Sequence, residues 1–235
     1  MRSPATALFI AALAGAPAVA SISPISQARS VSASYSFESP GGNISDSQTI
    51  SAGDFGPFNA DISFDDVNAS QYSGVNPGGQ TGIYGSGFVS TLGLQDESGT
   101  YVSNATSSFE MSFALDEPMS LTGVIGATYN GGGDGYAELD VFVSLARDGG
   151  STQTWRIQTN TGDSFTEGLV LNADLAPGTY TITALAHNNN VPVNAFGFFP
   201  ARSTGTFSFQ VGVPAPASLA ICAAALLAPR RRPRA

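Results

Sequence analysis

The only histidine of the chain, His187, is the residue best suited to acid-base chemistry near neutral pH. A Ser-His-Asp hydrolase would have to use it, because the histidine takes the proton from the attacking serine. No G-x-S-x-G motif occurs in the sequence, and His187 follows an alternating apolar run at 180–186, where a strand would end. We therefore interpret His187 as a surface residue and expect no catalytic residue.

Adjacent acidic residues could supply the two carboxylates of a glycosidase. They occur as Asp65-Asp66, Asp96-Glu97 and Asp116-Glu117. Neighbours in a strand point to opposite faces, so no pair supplies both groups by itself. All nine basic residues are arginines, and the absence of lysine excludes Schiff-base chemistry and a P-loop. We predict that the protein is not an enzyme.

A glycine-rich stretch at 130–135 contains Asp134 and is followed by Glu138 and Asp140. Carboxylates and flexible backbone carbonyls are the oxygen ligands that calcium requires, although the spacing fits neither an EF-hand nor a G-G-x-G-x-D repeat. A plain hairpin turn is the interpretation we prefer. With Cys222 as the only cysteine, the chain has no intrachain disulfide and no cysteine-based metal site. We expect no cofactor, with calcium at these three acids as the alternative.

Aromatic residues near the middle of the chain could form a platform for sugar rings. Trp155, Tyr136 and Phe142 are the candidates, and Phe142 is out of phase with its apolar neighbours. A single tryptophan in a sandwich usually fills the core, which is the competing interpretation. The exposure of Trp155 and Tyr136 discriminates between the two.

The elements that must position these residues are strands, because apolar and polar residues alternate along most of the chain. The alternation predicts strands at 109–115, 137–145, 155–159, 180–186 and 207–211, with weaker ones at 31–37, 83–92 and 119–129. Gly, Pro, Asn and Asp clusters separate them, and residues 175–182 read as a tight corner entering the penultimate strand. The segment from Gly41 to Gly82 is rich in small polar residues and predicts a long loop. The fold class is all-β, an antiparallel β-sandwich or jelly roll.

The N-terminal residues 1–20 have the three parts of a secretory signal peptide. Arg2 precedes an apolar run at 5–14, and Ala18 and Ala20 form an A-x-A site before Ser21. The run is shorter than the ~20 residues that span a membrane, and a buried N-terminal helix is the alternative. We predict cleavage by signal peptidase between Ala20 and Ser21.

The last 23 residues, 213–235, have three parts in a fixed order. They are the motif Val213-Pro214-Ala215-Pro216, an apolar run ending at Pro229, and the arginines Arg230, Arg231, Arg232 and Arg234. This order resembles the PEP-CTERM sorting signal of exopolysaccharide-producing bacteria, with Ala215 where that family has Glu. The resemblance implies processing at the motif by an exosortase, a membrane-embedded protease, with the arginines on the cytoplasmic side.

The length and charge of this tail agree with such a topology. Residues 213–229 would form an α-helix of about 26 Å, against a hydrocarbon core of ~30 Å. Arginines beyond the apolar run favour the cytoplasmic side, which leaves the preceding domain outside. A C-terminal anchor that is never cut is the alternative.

Residues 21–212 therefore form the exported domain. They hold all 18 acidic residues of the chain and four of its arginines, so nucleic acid is not an expected partner. We predict a non-catalytic protein, transiently membrane-anchored and then at the cell surface or in the extracellular matrix, with an adhesive or scaffolding role. The alternative function is a carbohydrate-binding module acting on exopolysaccharide.

Overall fold

The computed structural model describes residues 21–64, 66–76, 81–96, 99–130, 136–159, 163–191 and 201–212. Within these ranges the regular secondary structure is entirely strand. The strands are β1 (Ile22–Ser39), β2 (Gly42–Ser51), β3 (Phe58–Phe64), β4 (Val67–Val75), β5 (Thr81–Asp96), β6 (Gly99–Leu115), β7 (Met119–Asn130), β8 (Tyr136–Arg147), β9 (Thr152–Thr159), β10 (Phe165–Leu175), β11 (Gly178–Val191) and β12 (Ala201–Gly212).

The strands form two antiparallel sheets. Sheet I has the order β2-β1-β6-β11-β8-β9, and sheet II has the order β3-β4-β5-β12-β7-β10. The end of β5 also pairs with the start of β6, which links the two sheets. The last two described strands, β11 and β12, lie in the middle of sheets I and II. The architecture is all-β, as the alternation predicted. The two sheets enclose a large core as in a β-sandwich, with a small second cluster of Tyr129, Ala137 and Ala201.

Each strand run that the alternation predicted lies within an observed strand. The prediction of a long loop from Gly41 to Gly82 was wrong, because this segment contains β2, β3 and β4 and the start of β5. In β3 and β4 the inward positions are Phe58, Ala60, Ile62, Val67 and Ala69, and they alternate with polar residues. In β4 the inward set continues with Gln71 and Ser73, so the contrast between the two faces is too weak to show the period-two pattern in the sequence.

Glycines in β5 make room for aromatic rings from β12. Gly85 pairs with Phe209 and Gly87 pairs with Phe207, and all four residues are buried. A Cβ added at Gly87 would lie 2.3 Å from Phe207 Cε1, and one at Gly85 would lie 2.6 Å from Phe209 Cζ. The Phe209 ring also contacts Phe109 of sheet I edge-on, with ring centroids 5.0 Å apart. The space that side chains at Gly85 and Gly87 would occupy is thus filled by the rings of Phe209 and Phe207, and Phe209 also contacts sheet I.

The corner before β11 is fixed by Tyr180, whose hydroxyl donates a hydrogen bond of 2.8 Å to the carbonyl of Ala176. Gly178 has a φ of 151°, which is unfavourable for other residues. Arg147 lies over the Tyr180 ring and donates to the carbonyl of Pro177. The structure thus has the predicted corner, and it enters the penultimate strand of the described residues, β11.

Arg29 of β1 is buried, with only 2% of its surface exposed. Its guanidinium donates to the side chain of Gln27 and to the carbonyls of Asp54, Gly56 and Ser73, and it lies over the Phe58 ring. Burial lowers the pKa of Arg29 below its ordinary value, and the charge of Asp54 opposes this effect. Arg29 thereby holds the connection between β2 and β3 against the body of the sandwich.

Candidate functional site

His187 lies within β11 rather than after it, and its side chain points to the outer face of sheet I. In register it stands between Thr106 of β6 and Asp140 of β8. Its Nδ1 shares a hydrogen bond of 2.9 Å with the Thr106 hydroxyl. Both Asp140 oxygens accept hydrogen bonds from Arg156, at 2.8 and 2.7 Å. The hydrogen bond with Asp140 raises the pKa of Arg156. Thr106, His187 and Asp140 thus form a row of polar side chains across three strands. Both oxygens of the Asp140 carboxylate are already hydrogen-bonded to Arg156.

The acidic pairs are distributed over separate parts of the described structure. Asp66 forms an ion pair with Arg202, with 3.2 Å between the charged atoms, and Asp116 is bonded to Ser21. Asp65 and Glu97 lie outside the described residues, as does the side chain of Asp96. Asp66 and Asp116 therefore each have a separate partner, and the two lie in different connections between strands.

The calcium candidates are only partly within the described residues. Asp134 lies outside them, Glu138 is exposed on β8, and Asp140 is paired with Arg156. Across the described ranges, no group of three or more His, Cys, Asp or Glu side chains is arranged to hold a metal ion.

The three predicted sugar contacts do not share one described surface. Trp155 of β9 is partly buried and packs against the core. Phe142 of β8 is on the outer face, where Arg156 lies 5.8 Å from its ring centroid. The side chain of Tyr136 lies outside the described residues. Sheet I therefore carries Trp155 and Phe142 on opposite faces.

The predicted processing sites fall mostly outside the described part of the chain, which excludes Ala18, Ala20 and all of 213–235. Ser21 is described, and it is bound at the end of β6. Its backbone N–H donates to Asp116 Oδ1 at 2.8 Å, and its hydroxyl donates to Asp116 Oδ2 at 2.6 Å. Both hydrogen bonds lower the pKa of Asp116 below its usual value of 3.8, and the bond from the Ser21 hydroxyl has the larger effect.

We expect Asp116→Asn to lower the melting temperature slightly at about pH 7, because one amide oxygen replaces two charged acceptors. A carboxyl with a lowered folded-state pKa stabilises the fold above its unfolded pKa, and this contribution is lost as the pH falls through the folded-state value. The difference between wild type and variant should therefore shrink below pH 3.8. Thermal unfolding followed by circular dichroism at neutral and acidic pH measures it, and an unchanged difference would contradict the assignment.

The outer face of sheet II carries three aromatic rings that the sequence analysis did not select. We call Tyr72 of β4 with Tyr84 and Phe88 of β5 the aromatic face. Tyr72 is 53% exposed and Phe88 is 38% exposed. Along Tyr84-Gly85-Ser86-Gly87-Phe88 the large residues point outward and the glycines inward, because rings of β12 fill the inner side. The signal that could have found this face is an alternation of aromatics with glycines.

The positions of Tyr72 and Tyr84 are fixed by close packing. Their ring centroids are 5.1 Å apart, with the ring planes tilted by 35°. A Cβ at Gly74 would lie 2.6 Å from the Tyr84 hydroxyl, so glycine leaves the space that this side chain occupies. A side-chain hydrogen bond with Tyr72, followed by burial, raises the pKa of Tyr84 above its ordinary value. The Ser86 hydroxyl between the rings donates to the Tyr72 carbonyl at 3.3 Å.

Two shallow depressions lie on either side of Tyr72 and Ser86. The first, of about 280 Å³, is also lined by Tyr84, Thr122, Ser208 and Gln210. The second, of about 360 Å³, is also lined by Asn59, Asp61, Ser70 and Phe88. Both therefore combine aromatic surface with hydroxyl and amide groups, the combination that orients small polar ligands in binding sites.

No family model matches the chain, and no curated protein matches it. Among solved structures, the chain is similar to the VP2 subviral particle of infectious bursal disease virus. The identity is 10%, over 88% of this chain and 74% of the viral chain, with a TM-score of 0.20. A TM-score of this size carries no argument about fold or function. Among the described residues, no helix is long and apolar enough to cross a membrane.

Proposed function

We propose that this chain is an exported, non-catalytic protein of the cell surface or extracellular matrix that acts by adhesion or scaffolding. The observation that carries the proposal is the pair of broad outer faces, each formed by six of the described strands, with rows of polar side chains on sheet I and exposed aromatic and polar side chains on sheet II. On sheet I, hydroxyl groups pair across strands, as between Ser30 and Ser108 at 2.8 Å and between Ser112 and Thr181 at 2.8 Å. Such broad, solvent-facing surfaces suit contact with extended polymers or with other proteins.

The start of the sandwich supports the proposed signal peptidase step. β1 begins at Ile22, directly after the predicted cleavage site, and Ser21 is already bound to Asp116. Cleavage before Ser21 would convert its amide into a charged amino group facing the Asp116 carboxylate. The new N-terminus would then form an ion pair with Asp116.

At the other end, β12 ends at Gly212, directly before the PEP-CTERM-like tail. In the proposal, this tail holds the precursor in the membrane with Arg230, Arg231, Arg232 and Arg234 inside. An exosortase-like protease then cuts near Val213-Pro214-Ala215-Pro216. Prolines keep the preceding backbone out of helix, which leaves it open to a protease. In this proposal the sandwich lies between a signal peptide at residues 1–20 and a transmembrane sorting tail at residues 213–235.

The test is the location and intact mass of the native protein. We expect a membrane-held precursor and then a surface or matrix form that begins at Ser21 and ends near the motif. Replacing both Pro214 and Pro216 by alanine should trap the membrane form, whereas Pro229→Ala, outside the motif, should leave processing unchanged. A mature surface form that retains the C-terminal peptide through Leu227 would show a permanent anchor. A cytoplasmic protein that retains residues 1–20 would overturn export.

The second candidate function is carbohydrate binding, and the aromatic face favours it. Exposed rings next to hydroxyl and amide side chains offer flat apolar surface and hydrogen-bond partners together, which are the two kinds of group that a sugar ring presents. Under this candidate the sugar contacts are on sheet II rather than at Trp155, Tyr136 and Phe142. Adhesion would then act through the exopolysaccharide itself.

A further inference from the structure

The aromatic face spreads its rings over a length greater than one sugar unit. Tyr84 and Phe88 are four residues apart on one strand, about 13 Å at ~3.3 Å per residue. Tyr72 pairs with Ser86 on the neighbouring strand and so lies beside the line between them. Its exposed ring borders both depressions. A ligand that contacts all three rings must therefore extend across both depressions.

The charge of the site selects among extended polymers. Among the residues that line the two depressions, Asp61 is the only charged one, and the protein as a whole carries a net charge of -9. An acidic polysaccharide or a phosphate-rich polymer would meet repulsion and find no arginine there. An uncharged polymer meets no such penalty.

Polar partners are available along the same path. Thr122, Ser208 and Gln210 border the first depression, and Asn59 and Ser70 border the second. Hydroxyl and amide groups can each donate and accept, as the hydroxyls of a sugar do. Ser208 of β12 pairs with Val124 of β7, and Val124 pairs with Val170 of β10, which is 75% exposed. Apolar surface therefore extends across the sheet beyond the aromatic rings.

We propose that the aromatic face binds an uncharged polysaccharide chain, with sugar rings stacked on Tyr72 and Phe88 and sugar hydroxyls bonded to the polar side chains of the two depressions. The inference rests on the carbohydrate-binding candidate above and assigns its site and ligand class. Tyr84 is a positioning residue, because it packs against Tyr72 and over Gly74.

The experiment is affinity electrophoresis of the purified full chain in native gels that contain dextran, mannan, hydroxyethylcellulose or alginate. We expect retardation by at least one of the three neutral polymers and none by alginate. Tyr72→Ala and Phe88→Ala should each weaken binding about tenfold, because each removes one stacking surface. Both side chains are exposed, and unchanged thermal unfolding would show that the variants fold.

The matched control is Phe142→Ala, which removes a ring from the outer face of sheet I. It should leave retardation unchanged, and loss of binding in this variant alone would place the site on sheet I and overturn the assignment. Retardation by alginate alone, or by none of the four polymers, would also overturn it. So would a dimer, detected by light scattering, that Tyr72→Ala dissociates, since a second copy would then occupy the face. The location experiment is independent, so a surface protein without retardation would refute only this inference.

Discussion

Arg29→Met is expected to lower the free energy of unfolding by about 3 kcal/mol, because a buried hydrogen-bonded charge is replaced by a side chain that cannot donate. The carbonyls of Asp54, Gly56 and Ser73 would lose their shared donor. Methionine has a similar length, so the loss would reflect unpaired carbonyls more than an empty space. Urea denaturation followed by circular dichroism measures the change.

Arg156→Met is the matched control for this prediction. Like Arg29, Arg156 donates hydrogen bonds through its guanidinium and lies over an aromatic ring, but its side chain is 47% exposed. Exposed ion pairs contribute about 0–1 kcal/mol, so this variant should lose at most that amount. Equal losses in the two variants would refute the structural role assigned to Arg29.

Gly87→Ala is expected to destabilise the fold by about 1–3 kcal/mol, the range for overpacking a closely packed core. The added methyl would lie 2.3 Å from Phe207 Cε1 and 2.4 Å from Ser107 Oγ. Either the ring moves or the two sheets separate locally. The measurement is again equilibrium denaturation, compared with Gly168→Ala on β10, where the nearest neighbour of the added methyl is a carbonyl oxygen at 3.7 Å.

The control Gly168→Ala should change stability by no more than about 0.5 kcal/mol. A second test combines Gly87→Ala with Phe207→Leu, which removes the ring that the methyl meets. The double variant should lose less than the sum of the two single losses, because the two side chains compete for one space. If the two losses of stability simply add, the added methyl does not compete with the Phe207 ring, and the explanation is wrong.

The strand content was predictable where strands bury large apolar residues. Phe109, Met111 and Phe113 in β6 alternate with polar residues, and the structure buries all three. In β4 the buried positions include Ala69, Gln71 and Ser73, so the contrast between the two faces is too weak to read from residue types. Pairing with neighbouring strands of sheet II stabilises β4 as a strand, and the local sequence pattern does not report that pairing.

The candidate site was harder to predict than the fold. The sequence made Trp155 a candidate sugar contact with a core position as the alternative, and in the structure Trp155 is partly buried and packs against the core. Tyr72, Tyr84 and Phe88 became a cluster only through the pairing of β4 with β5, which residue spacing does not encode. The burial of Arg29 is likewise not encoded in its neighbours along the chain, because the carbonyls that bind it come from residues 54–73.

The central position of β11 and β12 has a consequence for the order of folding. During synthesis from the N-terminus, the β1–β2 and β3–β4 hairpins can form early. One edge of β6 stays unpaired until β11 is made, and one edge each of β5 and β7 stays unpaired until β12 is made. Pairings this distant in sequence close slowly, in milliseconds to seconds for all-β domains. Until the last strands arrive, each sheet exists as two halves with open edges, the state in which β proteins aggregate most readily. Residues 178–212, which hold β11 and β12, therefore control when either sheet becomes complete.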